Sequence, residues 1–85
     1  MSQIEKIFLK ILTGQSDNNI GFNELRNLLI TLGFDERIKG SHHIFTKNNI
    51  EEIINLQPVG NLAKSYQIRQ IRNLITKYSL GDING

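Results

Sequence analysis

The sequence predicts an α+β domain in which helices cover one face of a three-stranded antiparallel sheet. Three observations carry that expectation. Apolar residues recur at helical spacing near both ends of the chain, the pattern between residues 34 and 56 shifts toward extended segments, and the turns inside that stretch are short enough to join only neighbouring antiparallel strands. With 85 residues the chain has the length of one domain, so these elements are expected to share one core.

Ile4, Ile7, Phe8, Ile11 and Leu12 fall on one stripe of an amphipathic helix that Ser2 can cap and that ends near Thr13–Gly14. Gln15 to Asn19 is polar and rich in turn formers, hence a loop. A second helix runs from about Phe22 to Leu32 with Phe22, Leu25, Leu28, Leu29 and Leu32 as its apolar stripe, and Gly33 stands where a left-handed C-terminal cap belongs. Phe34–Lys39 and His42–Lys47 read as strands joined at Lys39-Gly40-Ser41, and Asn48-Asn49 turns the chain into a third strand from Ile50 to about Leu56. Pro58 and Gly60 end the sheet. The last helix spans Ser65 to Tyr78, with Ile68, Ile71, Ile75 and Tyr78 on one side. Gly81 stops it, and Asp82 to Gly85 is expected to fray. The plan is thus an additional N-terminal helix (1–14), a core (20–80) and a short tail (81–85). Without the first helix the order is α-β-β-β-α, the order of double-stranded-RNA-binding domains, although a shared order alone does not carry a function.

Composition narrows the chemistry. There is no cysteine, which removes disulfides and thiolate metal sites and is compatible with a reducing cytoplasm. No run of about 18 apolar residues could cross a membrane. Ile4, Lys6 and Lys10 mix charge with apolar residues instead of separating them as a secretory signal does. A cytoplasmic protein with no membrane partner is therefore expected. The formal charge is +2, unevenly distributed: residues 1–36 carry −2 and residues 37–77 carry +5. A basic second half suggests an anionic partner, although solvated helix faces look similar.

The densest chemical cluster is Lys39-Gly40-Ser41-His42-His43. Histidine's ordinary pKa lies near neutrality, so an imidazole can both take and give a proton at cellular pH. RNA can be cut without metal when one group removes the 2′-hydroxyl proton, another protonates the departing 5′-oxygen, and cations stabilise the charge on phosphorus. Lys39, Lys47 and the arginines are candidates for the last role. Successive strand residues face opposite ways, so His42 and His43 cannot sit side by side; one is expected to work while the other is buried or supporting. Two ordinary hairpin histidines, one solvated and one hydrogen-bonded in the core, would fit the same pattern. Scattered carboxylates make no obvious metal-ligand set beside them, and no metal or other cofactor is expected. Glu51 and Glu52 read as solubilising charges on an edge strand. Gly60-Asn61-Leu62-Ala63-Lys64-Ser65 lacks the spacing of a phosphate-binding loop. In the last helix Lys64, Tyr66, Gln67, Arg69, Gln70 and Arg72 form a run of long polar side chains. Arg69 and Arg72 share a face that suits either phosphate docking or plain solvation.

Leu32-Gly33-Phe34 followed by Lys39-Gly40-Ser41-His42-His43-Ile44-Phe45 resembles the HicA family of bacterial toxin ribonucleases, over about Phe22 to Leu80. The resemblance implies a fold like the double-stranded-RNA-binding domain, endoribonuclease activity on mRNA, and neutralisation by a HicB-like antitoxin protein. The family's catalytic histidine falls on His42 when Gly-Ser-His is the anchor, with His43 as the alternative. Lys39, Ser41, Lys47, Lys64, Arg69 and Arg72 are the residues expected to touch RNA. Asn55-Leu56-Gln57-Pro58-Val59-Gly60 and the segment from Ala63 to Arg72 depart from the usual family pattern, as does the first helix, which marks a divergent branch. A non-catalytic RNA-binding module, using the same basic residues for contacts to phosphates and 2′-hydroxyls, is the competing expectation.

Overall fold

Local chemistry sets the first element. In the computed structural model, which describes residues 2–81, the Ser2 hydroxyl accepts a hydrogen bond from the Glu5 N–H at 3.1 Å and opens helix α1, Gln3–Thr13. Glu5 and Lys10 sit in the first and last turns, where each charge complements the helix dipole. Helix α2, Phe22–Thr31, follows the loop. Leu32 caps it, and the next residue, Gly33, takes a φ of +100° that a side chain would strain. The Lys47 ammonium lies over this end, so close that a Cβ on Gly33 would meet Nζ at 2.8 Å. That cation offsets the C-terminal charge of a helix with no basic residue in its own last turn.

The three strands are β1 (Asp35–Lys39), β2 (His42–Lys47) and β3 (Ile50–Leu56), in the order β1-β2-β3 and antiparallel throughout. In β1–β2 Glu36 faces Phe45 and Ile38 faces His43; in β2–β3 Leu56 faces His43 and Ile54 faces Phe45. Pairing shifts between Phe45 and Lys47, where β3 bulges. Phe45, Ile54 and Leu56 are fully buried and belong to one cluster with residues of all three helices, while Thr46, Ile53 and Asn55 on the opposite face are exposed. The sheet is therefore covered on one side and open on the other, as alternation requires. Each of these core side chains contributes about 1.5–3 kcal/mol by leaving water.

Helix α3, Ser65–Tyr78, completes the cover, with Ile68, Ile71, Leu74 and Ile75 buried. The order helix, helix, three strands, helix follows the sequence reading, and β2, β3 and α3 begin and end at the expected residues. Helix α1 is no appendage. It packs against α2 and α3 and contributes Ile7 and Ile11 to the common core. No helix among the described residues is long and apolar enough to cross a membrane. The expected frayed tail, Asp82 to Gly85, lies outside the described residues.

Candidate functional site

Strand alternation separates the two histidines. His42 is exposed on the open face, directly across from Lys39, with Nδ1 at 3.1 Å from the Asn55 side-chain oxygen. His43 points beneath the helices. Its ring meets Phe22 edge-on with centroids 4.9 Å apart, and its Nδ1 lies 2.8 Å from Glu36 Oε2. The contrast comes from one residue of offset on β2.

Glu36 is itself held. Arg26 donates from Nε to Oε2 at 2.6 Å and from Nη2 to Oε1 at 2.9 Å, the two-pronged geometry that only a guanidinium supplies. The Arg26 hydrogen bonds, more than the contact with His43, hold the Glu36 carboxyl below its ordinary range, and the same pairing raises Arg26. An ionised Glu36 only accepts, so the network assigns the imidazole proton to Nδ1. The other ring nitrogen, Nε2, has no hydrogen-bond partner among the described residues. A carboxylate fixing one ring nitrogen while the other stays available is the arrangement that orients a histidine for proton transfer.

His43 also lines an open cleft of about 680 Å³. Lys10 of α1, Phe22 and Arg26 of α2, and Asn61 of the β3–α3 loop share that lining. The loop is well anchored. Val59 and Leu62 exchange two backbone hydrogen bonds of 2.9 and 3.1 Å around the Gly60-Asn61 turn, in which Gly60 takes φ +61°. The Phe22 N–H donates to the Asn61 carbonyl at 2.8 Å, and the Ala63 N–H to the Ile20 carbonyl at 2.9 Å. The start of α2 and this loop thus form one wall.

The residues singled out from the sequence do not form one patch. Lys39, Ser41 and His42 cluster at the β1–β2 hairpin, where the Ser41 hydroxyl accepts from Gln57 at 3.1 Å. Lys47 shares the covered side with His43, but four residues along the strand is about 13 Å away, and its ammonium lies at the end of α2. Lys64 precedes α3, its Nζ 5.9 Å from the centre of the Tyr66 ring. Arg69 is exposed. Arg72 is engaged within the fold: Nε donates to the Ile11 carbonyl at 2.7 Å and Nη2 to Asp17 at 2.6 Å, tying α3 to the loop after α1. Glu52 is more than a solubilising charge, since Lys77 and Tyr78 of α3 donate to it at 2.8 and 2.6 Å.

Sequence reasoning missed Lys10, Arg26 and Glu36. A signal for Glu36 existed: counting by twos, it lies on the same side of β1 as Phe34 and Ile38, and a carboxylate turned toward a core requires partners. Among the described residues no three His, Asp or Glu side chains converge as a bound metal ion would need. Compared with known protein families, characterised proteins and solved structures, the chain matches none.

Proposed function

We propose that this chain is an endoribonuclease that cleaves mRNA by acid–base chemistry at His43, in the manner of the HicA-like toxins its Gly-Ser-His-His segment resembles. The observation that carries the reading is the Arg26–Glu36–His43 relay, in which a carboxylate held by a guanidinium engages Nδ1 of an imidazole that lines a cleft. The Gly-Ser-His anchor favours His42; the relay favours its neighbour, and the proposal follows the relay, because His42 has only an exposed amide as partner. The α-β-β-β-α core behind the first helix then corresponds to a double-stranded-RNA-binding-like arrangement put to catalytic use.

In the proposed reaction Nε2 of His43 takes the 2′-hydroxyl proton and the freed oxygen attacks the adjacent phosphorus. The bond to the 5′-oxygen breaks, that oxygen is protonated from solvent or from the Lys10 ammonium, and a 2′,3′-cyclic phosphate remains. The step needs no metal ion. It would take place in the cytoplasm, restrained by a HicB-like antitoxin that keeps RNA from His43. The decisive experiment is cleavage of a single-stranded RNA, in EDTA, by wild type, His43→Ala and His42→Ala. Loss of cleavage in His43→Ala alone supports the proposal. Equal loss in both, loss in His42→Ala alone, or dependence on added metal ion refutes it.

A second reading keeps one specific observation: Arg37, Lys39 and His42 are all exposed and occupy alternate positions that share the open sheet face. That face could hold an RNA backbone without cutting it. Growth arrest on induced expression that survives His43→Ala would favour such a binding module.

A further inference from the structure

We infer that the cleft beside His43 is a base-reading subsite, in which the carboxamides of Asn61 and Asn19 recognise an unpaired nucleobase and so give the proposed nuclease a sequence preference. The inference rests on the ribonuclease reading for its ligand and goes beyond it in assigning specificity to residues with no part in the chemistry.

The charge of the cleft argues first. Arg26 is spent on Glu36, and Glu24, which also lines the cleft and accepts from Gln3 at 2.8 Å, offsets Lys10. Away from His43 the lining therefore adds little net charge of its own, so that the part beside Asn19 and Asn61 suits a base better than a second phosphate. What remains is amide and apolar surface: Asn19 and Asn61, with Pro58 and Leu62. A flat heterocycle with polar edges fits such a lining, because apolar walls take its faces while a carboxamide, one donor beside one acceptor, pairs with an edge that offers the complement.

Preorganisation argues second. Asn61 sits in the tight Val59–Leu62 turn, and its own carbonyl accepts from Phe22. Asn19 immediately precedes Ile20, whose side chain is fully buried and whose carbonyl accepts from Ala63. Both backbones are thus held by the same bridge, while both side chains are exposed and their amides are left to water. The fixed backbone aims both carboxamides at the cleft, so that binding a base has to order only the two side chains and not the loop that carries them. The opening suits a single strand whose bases can turn out; a stacked duplex could not offer a base edge to it.

The test uses binding, so that it does not depend on cleavage. Single-stranded 2′-fluoro octamers of A, C and U, which lack the attacking hydroxyl, and an abasic octamer are titrated into wild type, Asn61→Ala, Asn19→Ala and the double variant, while the Asn side-chain NH2 resonances are followed by NMR. The proposal expects the preferred homopolymer to bind about tenfold more tightly than the others and than the abasic chain. It expects the Asn19 and Asn61 amide signals to shift, and the preference to flatten in the double variant with the amide fingerprint of the fold and the salt dependence unchanged. Equal binding of base-bearing and abasic octamers, a preference that persists in the double variant, or no binding by any octamer overturns it. The two proposals separate cleanly: His43-dependent cleavage without base preference leaves the nuclease and removes the subsite, whereas Asn-dependent preference without cleavage does the reverse.

Discussion

Glu36 and Glu52 lie on the two outer strands of the same sheet, and each is tied to a helix by a basic side chain. Glu36 on β1 is gripped by Arg26 of α2, and Glu52 on β3 by Lys77 and Tyr78 of α3. Both carboxyls are held below their ordinary range, Glu52 to about 2 by the Lys77 and Tyr78 hydrogen bonds. The difference is the third party. Glu36 passes its second contact to His43, which lines a cleft, whereas Glu52 ends on a lysine and a phenol at the far end of α3. An edge carboxylate with a basic partner is therefore a fastening; it becomes part of a candidate site only where it orients a group able to exchange protons at an opening.

The strongest way to break the comparison is at the imidazoles. Removing His43 is expected to lower the cleavage rate about 10²- to 10⁴-fold, the usual share of a positioned acid–base group. His42→Ala should change the rate far less, because its ring is exposed on the open face and does not line the cleft. The measurement is single-turnover cleavage with folding verified by circular dichroism. Next comes the carboxylate pair. Glu36→Gln should cut the rate by about tenfold or more, since the amide can no longer fix the Nδ1–H form. Glu52→Gln should leave the rate unchanged. Equal losses from the two would make the relay structural.

Smaller effects separate the two arginines of α3. Arg72→Ala is expected to destabilise the fold by about 1–3 kcal/mol, because the Ile11 carbonyl and Asp17 lose a charged donor. It should leave the salt dependence of RNA binding intact. Arg69→Ala should do the opposite: stability within about 0.5 kcal/mol and a log–log salt slope shallower by about 0.7 if the residue meets a phosphate. Chemical denaturation and binding at several salt concentrations decide both.

The gentlest test is acid. A carboxyl whose folded pKa of about 2 lies below its ordinary 4.5 adds stability that is complete above that ordinary value and disappears as the pH falls toward the lower one. Glu52→Gln should therefore be less stable than wild type at pH 7, and the gap should close between pH 4.5 and about 2. A gap that persists in acid would mean that lost packing, not charge, explains the variant. Glu36→Gln should behave the same way in direction, its carboxyl also being lowered.

These contrasts show how far the sequence could be read. The hairpin histidines and the opposition of their faces were legible because a strand has period two. Their partners were not. Arg26 and Glu36 are ten residues apart and in different elements, and nothing in the helical pattern of α2 distinguishes Arg26 from a solvated charge. Arg72 shows the converse limit of pattern reading. Its spacing from Arg69 suggests a shared phosphate-binding face, yet 55 residues of chain separate it from the Asp17 carboxylate that holds it.

By itself the sequence determined the elements, their order and most of the side chains they bury, although Leu12, expected on the first apolar stripe, is exposed. Those depend on local matters: helical spacing in Ile4 to Leu12 and Ile68 to Tyr78, the Ser2 cap, the glycines that end α2 and turn the hairpin, and extended segments between short turns. Only the tertiary structure decided which charges are spent and which remain free. It joined Arg26 to Glu36 and Glu36 to His43, consumed Arg72 on Asp17, brought Lys10 of α1 to the cleft, and seated Asn61 beside the start of α2. The physical reason is range. Backbone periodicity is set by neighbours a few residues away, whereas an ion pair or a cleft is set by which elements meet in space, and that depends on how the whole core packs.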